Sequence, residues 1–490
     1  MEGGGEAGAA SPKATRDLTS GPINSTLLLF ALPTLGSSIL QSLNGSINAI
    51  WVGQFLGETA LAATTNANLV MFLMFSAVFG FGMAAAILIG QAVGRRDLDG
   101  VRRVFGTTMG LFGVASLLIG FIGWVSAPAL LRLLATPDDV FPMALAYLRV
   151  IFLGMPPMLV SVLLTMCLRG IGDAITPLWA IAASVVIDVA LNPVFILGLG
   201  PAPQLGIAGS AVATLIANMV SLIGVVYVIY ARDRMIRLRG AELRYLLPDR
   251  GLLGAIFAKG FAIGVQMLVF ASSGLALIGL VNREGSAMTA AYGAASQLWT
   301  YIQMPAMSVG AAVSAMAAQN IGADRWDRVR LIARGGILLN LALTGALIAI
   351  VWFIDRHVLW LFLGTDGATI ALASHINRMV VWSFTLMGIS MVLSATVRAN
   401  GAVIAPLIIF GIATLPVRFG VAWGLRPVFG TDGLWVGMWV GSIAAAGVMA
   451  AYYRWGGWRE TRMLPPPSRI EVEEEAMACS EPAGKIAPVG

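Results

Sequence analysis

The residues best placed to do chemistry lie in the run Ser184-Val185-Val186-Ile187-Asp188-Val189-Ala190-Leu191-Asn192-Pro193, where one carboxylate stands in an apolar stretch. An ionisable side chain at bilayer depth is costly and marks a functional site by default. Asn192 follows Asp188 by four residues, so a helix puts both side chains on one face. Pro193 has no backbone N–H; it frees a carbonyl near position 189 and bends the helix there. A carboxylate beside a freed carbonyl suits the holding of a proton or a small cation. The polar residues that could join it belong to the same half of the chain: Gln41, Asn44 and Asn48, then Asn66 and Asn68, then Thr214 and Asn218. Taken singly, an Asn or Gln in a membrane helix more often ties helices together by hydrogen bonding. The second half offers Gln266, Gln297, Gln303 and Asn340, with no carboxylate at the centre of any apolar run.

The elements that must position these residues are membrane helices. Hydrophobic residues make up 58% of the 490 residues and charged residues 11%, against roughly a quarter charged in a soluble protein. Apolar runs long enough to cross a bilayer recur along the chain. They are continuous rather than alternating, which excludes a porin-like barrel. Spans are expected at 24–52, 62–90, 103–127, 141–166, 175–198, 206–230, 254–281, 288–318, 331–354, 370–395, 403–424 and 431–455. Residues 1–21 and the tail after 463, with Pro465-Pro466-Pro467 and Glu473-Glu474-Glu475, read as disordered.

Arg95, Arg96, Arg102 and Arg103 follow span 2, six arginines from Arg232 to Arg250 follow span 6, and Arg325, Arg328, Arg330 and Arg334 follow span 8. Intervening loops hold few, with Arg132, Arg283, Arg356 and Arg426 as exceptions. The positive-inside rule then puts both termini in the cytoplasm. The net charge of +6 therefore reflects topology and gives no reason to expect nucleic acid. Arg far outnumbers Lys, and Ala and Gly abound, a composition suited to a GC-rich bacterium and hence to its inner membrane. Cys167 and Cys479 lie far apart, so neither a disulfide nor a metal site is expected.

The chain repeats itself at an offset of 228 to 229 residues: Gln91, Gly94 and Arg102 fall on Gln319, Gly322 and Arg330, and Arg149, Arg169, Gly172 and Pro177 fall on Arg378, Arg398, Gly401 and Pro406. Each half holds six spans, an even number, so both enter the bilayer from the same side. The expected fold is all-α and integral to the membrane, with two six-helix lobes related by an axis along the membrane normal. The domains follow: a tail at 1–21, an N-lobe at 22–230, a basic linker at 231–253, a C-lobe at 254–455 and a cytoplasmic tail at 456–490. No Walker A pattern, His/Cys cluster or Ser-His-Asp arrangement is readable. An enzyme is therefore not expected, nor is a cofactor, and an ion gradient is the natural driving force.

Five segments then bring a known family into view: Leu32-Pro33-Thr34, Trp51-Val52-Gly53, Gly90-Gln91-Ala92-Val93-Gly94, Leu168-Arg169-Gly170-Ile171-Gly172-Asp173 and Leu191-Asn192-Pro193-Val194-Phe195-Ile196. Over residues 22–455 the chain resembles the MATE (multidrug and toxic compound extrusion) transporters, and within them the DinF-like branch. That resemblance implies a V-shaped pair of lobes, alternating access and export of amphipathic, often cationic small molecules in exchange for protons or sodium ions. In the DinF-like branch the coupling site uses an acid on span 1 and an Asn-x-x-x-Asp pair on span 5. Here the span 1 position is Asn48, the pair is exchanged as Asp188-x-x-x-Asn192, and Thr214 matches a span 6 hydroxyl. Cation coupling is thus assigned to Asp188, Asn192, Asn48 and Thr214, with the proton favoured over sodium. Gln41, Asn44, Asn66, Asn68, Gln266 and Gln297 are candidate substrate-cavity residues. The expected partners are a small-molecule substrate and the lipid bilayer, and the expected state is a monomer. A flippase of a lipid-linked precursor is the alternative within transport. It would favour a cavity rich in basic residues, for which Arg149, Arg378 and Arg418 are the candidates. A membrane enzyme acting on lipids and a non-transporting scaffold are the readings from other classes.

Overall fold

The computed structural model describes residues 17–133, 136–138, 140–200, 202–232, 234–364 and 367–464, except for the side chains at 58–59, 61–63, 65–70, 73, 77 and 361–362. Among these residues the structure is helical throughout, with no strand. In the N-terminal lobe, α1 (Ile23–Gly94), α2 (Leu98–Leu133), α3 (Phe141–Gly170), α4 (Ile175–Leu197) and α5 (Ile207–Ala231) follow one another. The C-terminal lobe comprises α6 (Arg250–Asn282), α7 (Ser286–Gly322), α8 (Trp326–Leu363), α9 (Gly367–Val380), α10 (Ser383–Arg398), α11 (Ile404–Ile412), α12 (Arg418–Phe429) and α13 (Gly433–Trp455).

Several span boundaries differ from expectation, each for a local reason. Spans 1 and 2 form one helix, α1, whose two limbs meet at Gly57, held at φ +81. A residue with a Cβ rarely adopts that angle, so glycine supplies the bend. Span 10 is broken into α9 and α10, bent by 41°. Span 11 is interrupted by a π-helical turn at Ala413–Val417. Nine helices among the described residues are long and apolar enough to cross a membrane, or ten with the bent pair taken as one. The stretch Ile404–Trp455 counts once there although a turn at Gly430–Asp432 divides it. Helix α7 falls short because Thr289, Ser296, Gln297, Thr300 and Gln303 punctuate it. With that stretch divided and α7 included, the count is twelve. Much of α7 is buried inside the protein, so it can be less apolar than a helix bathed in lipid.

The outside of the bundle is oily. Phe121, Trp179, Phe353 and Trp423 are exposed large hydrophobics among many. Surface of that kind is what hydrocarbon covers, and helices satisfy their own backbone hydrogen bonds there.

Residues 17–21 are ordered where the sequence pointed to a disordered tail, and the chain just after α13 is anchored as well. Asp17 accepts hydrogen bonds from the Thr19 amide and hydroxyl and from Ser20. Leu18 is fully buried, and its carbonyl accepts from Asn320 Nδ2 at 3.0 Å. Arg325 and Arg328 donate to the carbonyls of Thr19 and Gly21. Residues 17–21 thus dock on the C-terminal lobe. After α13, Trp458 is buried between Trp326 and Tyr453. A short amphipathic segment with one large apolar anchor escapes a composition-based reading, because its burial depends on a partner surface elsewhere in the chain.

The lobes touch through a contact that obeys the internal repeat. Gln91 Nε2 donates to the Ala399 carbonyl at 2.7 Å, and Gln319 Nε2 donates to the Gly170 carbonyl at 3.0 Å. A Cβ on Gly94 would lie 1.9 Å from the Gln319 carbonyl oxygen, and one on Gly322 would lie 2.0 Å from that of Gln91. Only glycine permits such backbone-on-backbone approach. This clasp closes the bundle at the end that carries Arg95, Arg96 and Arg325.

Candidate functional site

Asp188 sits mid-helix on α4 and is 1% exposed. Four side chains from three helices converge on its carboxylate. From α1, Asn44 Nδ2 and Asn48 Nδ2 donate to Oδ2 at 2.8 and 2.9 Å. From α5, the Thr214 hydroxyl donates to Oδ1 at 3.0 Å. From α4 itself, Asn192 Nδ2 reaches Oδ1 at 3.2 Å, the Asp188 carbonyl at 2.9 Å and Asn48 Oδ1 at 2.8 Å. The spacing of four in Asn44/Asn48 and in Asp188/Asn192 turns each pair onto one face, and the packing of α1 on α4 brings the two faces together. Two amide oxygens in the cluster, Asn44 Oδ1 and Asn192 Oδ1, are buried without a hydrogen-bond partner. Turned inward, they would give the cluster a set of neutral oxygens around one carboxylate, the donor type that hard cations take.

A cavity of about 270 Å³ opens beside this cluster within the N-terminal lobe, lined by Asp188, Thr214, Asn218, Asn44 and Met71. A second cavity, of about 220 Å³, lies between the lobes and is lined by Thr34, Ser38, Arg169, Gln266, Met307 and Arg398. Gln41, Phe75, Val162 and Thr165 line both, so the carboxylate cluster and the interlobe cavity share a wall.

Several polar residues singled out in the sequence fall elsewhere. Gln41 and Asn44 line the N-lobe cavity, and Gln266, 2% exposed, lines the interlobe cavity. Gln297 is exposed on α7 and lines neither, because its neighbours Leu298 and Trp299 take the buried face of that turn. The side chains of Asn66 and Asn68 lie outside the described residues. Met71, Phe75 and Met307 also line these cavities.

The basic candidates need correcting too. Arg149 stacks on Trp124 at 4.9 Å, and Arg378 faces the buried carboxylate of Asp355 at 3.7 Å. Arg418 donates to the Ser273 hydroxyl at 3.3 Å. None of the three lines the interlobe cavity; Arg169 and Arg398 do. Each sits in the last turn of its helix, α3 and α10, and each is the other's partner in the sequence repeat. That pairing was the available signal, but without the fold it does not say that both side chains point inward. Asp355 was also missed: it lies one residue past the expected end of span 9, and α8 continues through it to Leu363.

Comparison with known proteins agrees with this arrangement. The MatE family model matches residues 33–194 and again residues 262–423, the same spacing as the sequence repeat. The chain is 35% identical to the probable multidrug resistance protein YoeA of Bacillus subtilis, over 92% of this chain and 98% of that one. It is 28% identical to the probable multidrug resistance protein YpnP of the same organism, over 91% and 98%. In fold it matches the outward-facing conformation of a multidrug resistance MATE family transporter of the MOP superfamily, with a TM-score of 0.83 at 21% identity, covering 92% of this chain and all of the other. A doubled match across both lobes, with relatives aligned along nearly their whole length, makes this chain a member of the MATE family, multi-pass membrane transporters rather than enzymes.

Proposed function

We propose that this chain is a secondary exporter of amphipathic small molecules, driven by cation antiport through Asp188, with alternating access of the interlobe cavity. The single observation that carries the reading is the convergence of four donors on one buried carboxylate beside a cavity wall. The names of its relatives, multidrug resistance proteins, support the substrate class.

Donor and acceptor counting supports proton coupling. As an anion, Asp188 accepts at both oxygens, and Oδ2 takes bonds from Asn44 and Asn48 together. A proton on Oδ2 makes that atom a donor and removes acceptor capacity. At least one of the α1 amides must then withdraw or turn. A hydrogen bond to a charged group contributes about 1.5–3 kcal/mol, enough to shift a balanced two-state equilibrium of α1 by an order of magnitude. Protonation therefore changes what holds α1 to α4, and α1 forms part of the cavity wall. Sodium is the second reading, favoured by the buried amide oxygens of Asn44 and Asn192. The position of the carboxylate in the N-terminal lobe is the reason for placing the chain nearer the DinF-like branch. A monomer in a bacterial inner membrane, with both termini in the cytoplasm, completes the proposal.

The test is uptake of a fluorescent organic anion and, in parallel, of a fluorescent organic cation into everted membrane vesicles under an imposed pH gradient without sodium. Wild-type uptake that vanishes in Asp188→Asn supports the reading. Equal uptake in both proteins removes Asp188 from the coupling role, and uptake that requires a sodium gradient replaces the proton by sodium.

A further inference from the structure

The interlobe cavity has its own charge, separate from the carboxylate cluster. Arg169 and Arg398 both line it, and among the described residues no Asp or Glu does. Neither arginine forms an ion pair with a described residue. Arg398 commits one N–H to Gln266 Oε1 at 3.2 Å, while Arg169 Nε is buried without a hydrogen-bond partner. A guanidinium carries five N–H donors and stays charged. Two of them, unneutralised in a site walled by hydrocarbon, form an incomplete arrangement. What completes it is an anion able to take paired N–H bonds, as carboxylates, phosphates and sulfonates do. The remaining wall is largely apolar and aromatic, with Phe75, Phe79, Phe270 and Met307 among its members, and suits a ring or chain attached to that anion.

The repeat sharpens the geometry. Arg169 and Arg398 are equivalent residues of the two lobes, so the axis relating the lobes passes between them. An anion held by both bridges the lobes at the inner end of the cavity, one residue from the clasp carbonyls of Gly170 and Ala399.

We propose that Arg169 and Arg398 form a two-lobe anion cradle, and that the interlobe cavity takes amphipathic organic anions, an apolar body bearing one carboxylate, phosphate or sulfonate, in preference to cations. This rests on the transporter reading above and specifies its substrate class. The test needs no ion gradient, so failure here leaves the coupling experiment untouched, and failure there leaves this one untouched. The whole chain, purified in a neutral detergent, is titrated with 5-dimethylaminonaphthalene-1-sulfonate and with the matching neutral sulfonamide, following probe fluorescence.

Wild type is expected to bind the sulfonate at least tenfold more tightly than the amide. The R169Q/R398Q protein should lose that preference and the R169K/R398K protein should keep part of it. Should the glutamine protein fail to fold, displacement on wild type decides: 2-naphthoate should compete the probe away and 2-naphthamide should not. Displacement by dihexanoyl phosphatidylglycerol, but not by the phosphatidylcholine analogue, would assign the anion to a lipid headgroup; displacement by naphthoate alone would assign it to a free organic acid. Equal binding of sulfonate and amide by wild type, or a preference unchanged in R169Q/R398Q, overturns the proposal.

Discussion

In the N-terminal lobe, Asp188 on α4 holds Asn44 on α1; at the corresponding places in the C-terminal lobe stand Arg418 on α12 and Ser273 on α6. Asn44 and Ser273 share the repeat offset. Asp188 and Arg418 are one residue further apart, and the π-helical turn at Ala413–Val417 immediately before Arg418 absorbs the extra residue. The same helix-to-helix contact is therefore kept, while its charge is reversed and its donors thinned. Asp188 is surrounded by four donors, but among the described residues Arg418 hydrogen-bonds to one hydroxyl, and its Nε is buried without a partner. Duplication preserved the packing and let the chemistry diverge. At this pair of equivalent places the N-terminal lobe carries a carboxylate and the C-terminal lobe a guanidinium, whose charge stays fixed.

The largest effects should fall on the Asp188 side. Asp188→Asn is expected to abolish gradient-driven uptake in vesicles, while Arg418→Gln should retain at least half of it. Comparable loss in both would erase the functional asymmetry. Next come the donors. Asn44→Ala and Asn48→Ala each remove a bond to a charged group and should lower uptake about tenfold, in line with about 1.5 kcal/mol. Ser273→Ala, at the equivalent place in the other lobe, should stay within twofold.

The clasp predicts symmetry instead of asymmetry. Gly94→Ala and Gly322→Ala each place a Cβ about 2 Å from a carbonyl oxygen of the opposite lobe. Each should lower the thermal midpoint by several degrees, since overpacking costs about 1–3 kcal/mol, and the two drops should agree. A large drop for one and none for the other would show that the lobes do not close as equals.

The smallest effect concerns how each lobe begins. Asp249 caps α6, accepting from the amides of Gly251 and Leu252, and pairs with Arg103 at 2.7 Å. Helix α1 has no side-chain cap. Burial pushes the Asp249 carboxyl up, but the Arg103 hydrogen bond and the α6 amides outweigh it and hold it below the usual carboxylate range. Its contribution to stability is therefore full above the unfolded-state value and fades as pH falls through the lower folded value. Asp249→Asn should lower the thermal midpoint by a degree or two at pH 7, and the gap should close in acid. A gap that persists unchanged at low pH would mean that charge plays no part.

Much of this molecule could be read from its sequence because the bilayer leaves few choices. Long apolar runs must become helices, a lone carboxylate within one must be compensated, and a spacing of four fixes a face. Those rules delivered the helical class, the duplicated plan and the polar faces of Asp188/Asn192 and Asn44/Asn48. They could not decide which faces meet. Gln297 and Gln266 are alike in sequence, yet one is exposed and the other lines the interlobe cavity, because helix rotation is set by neighbours distant in the chain. Arg169 and Arg398 resembled loop-edge arginines, and Leu18 resembled part of a disordered tail. Their positions depend on packing between lobes, which no local pattern encodes. Patterning along single helices was enough to reveal a two-lobed membrane bundle with a costly carboxylate at Asp188. That three helices cage this carboxylate and two distant arginines share one cavity emerges from the folded molecule alone, because such contacts arise from long-range packing, while periodicity reports one helix at a time.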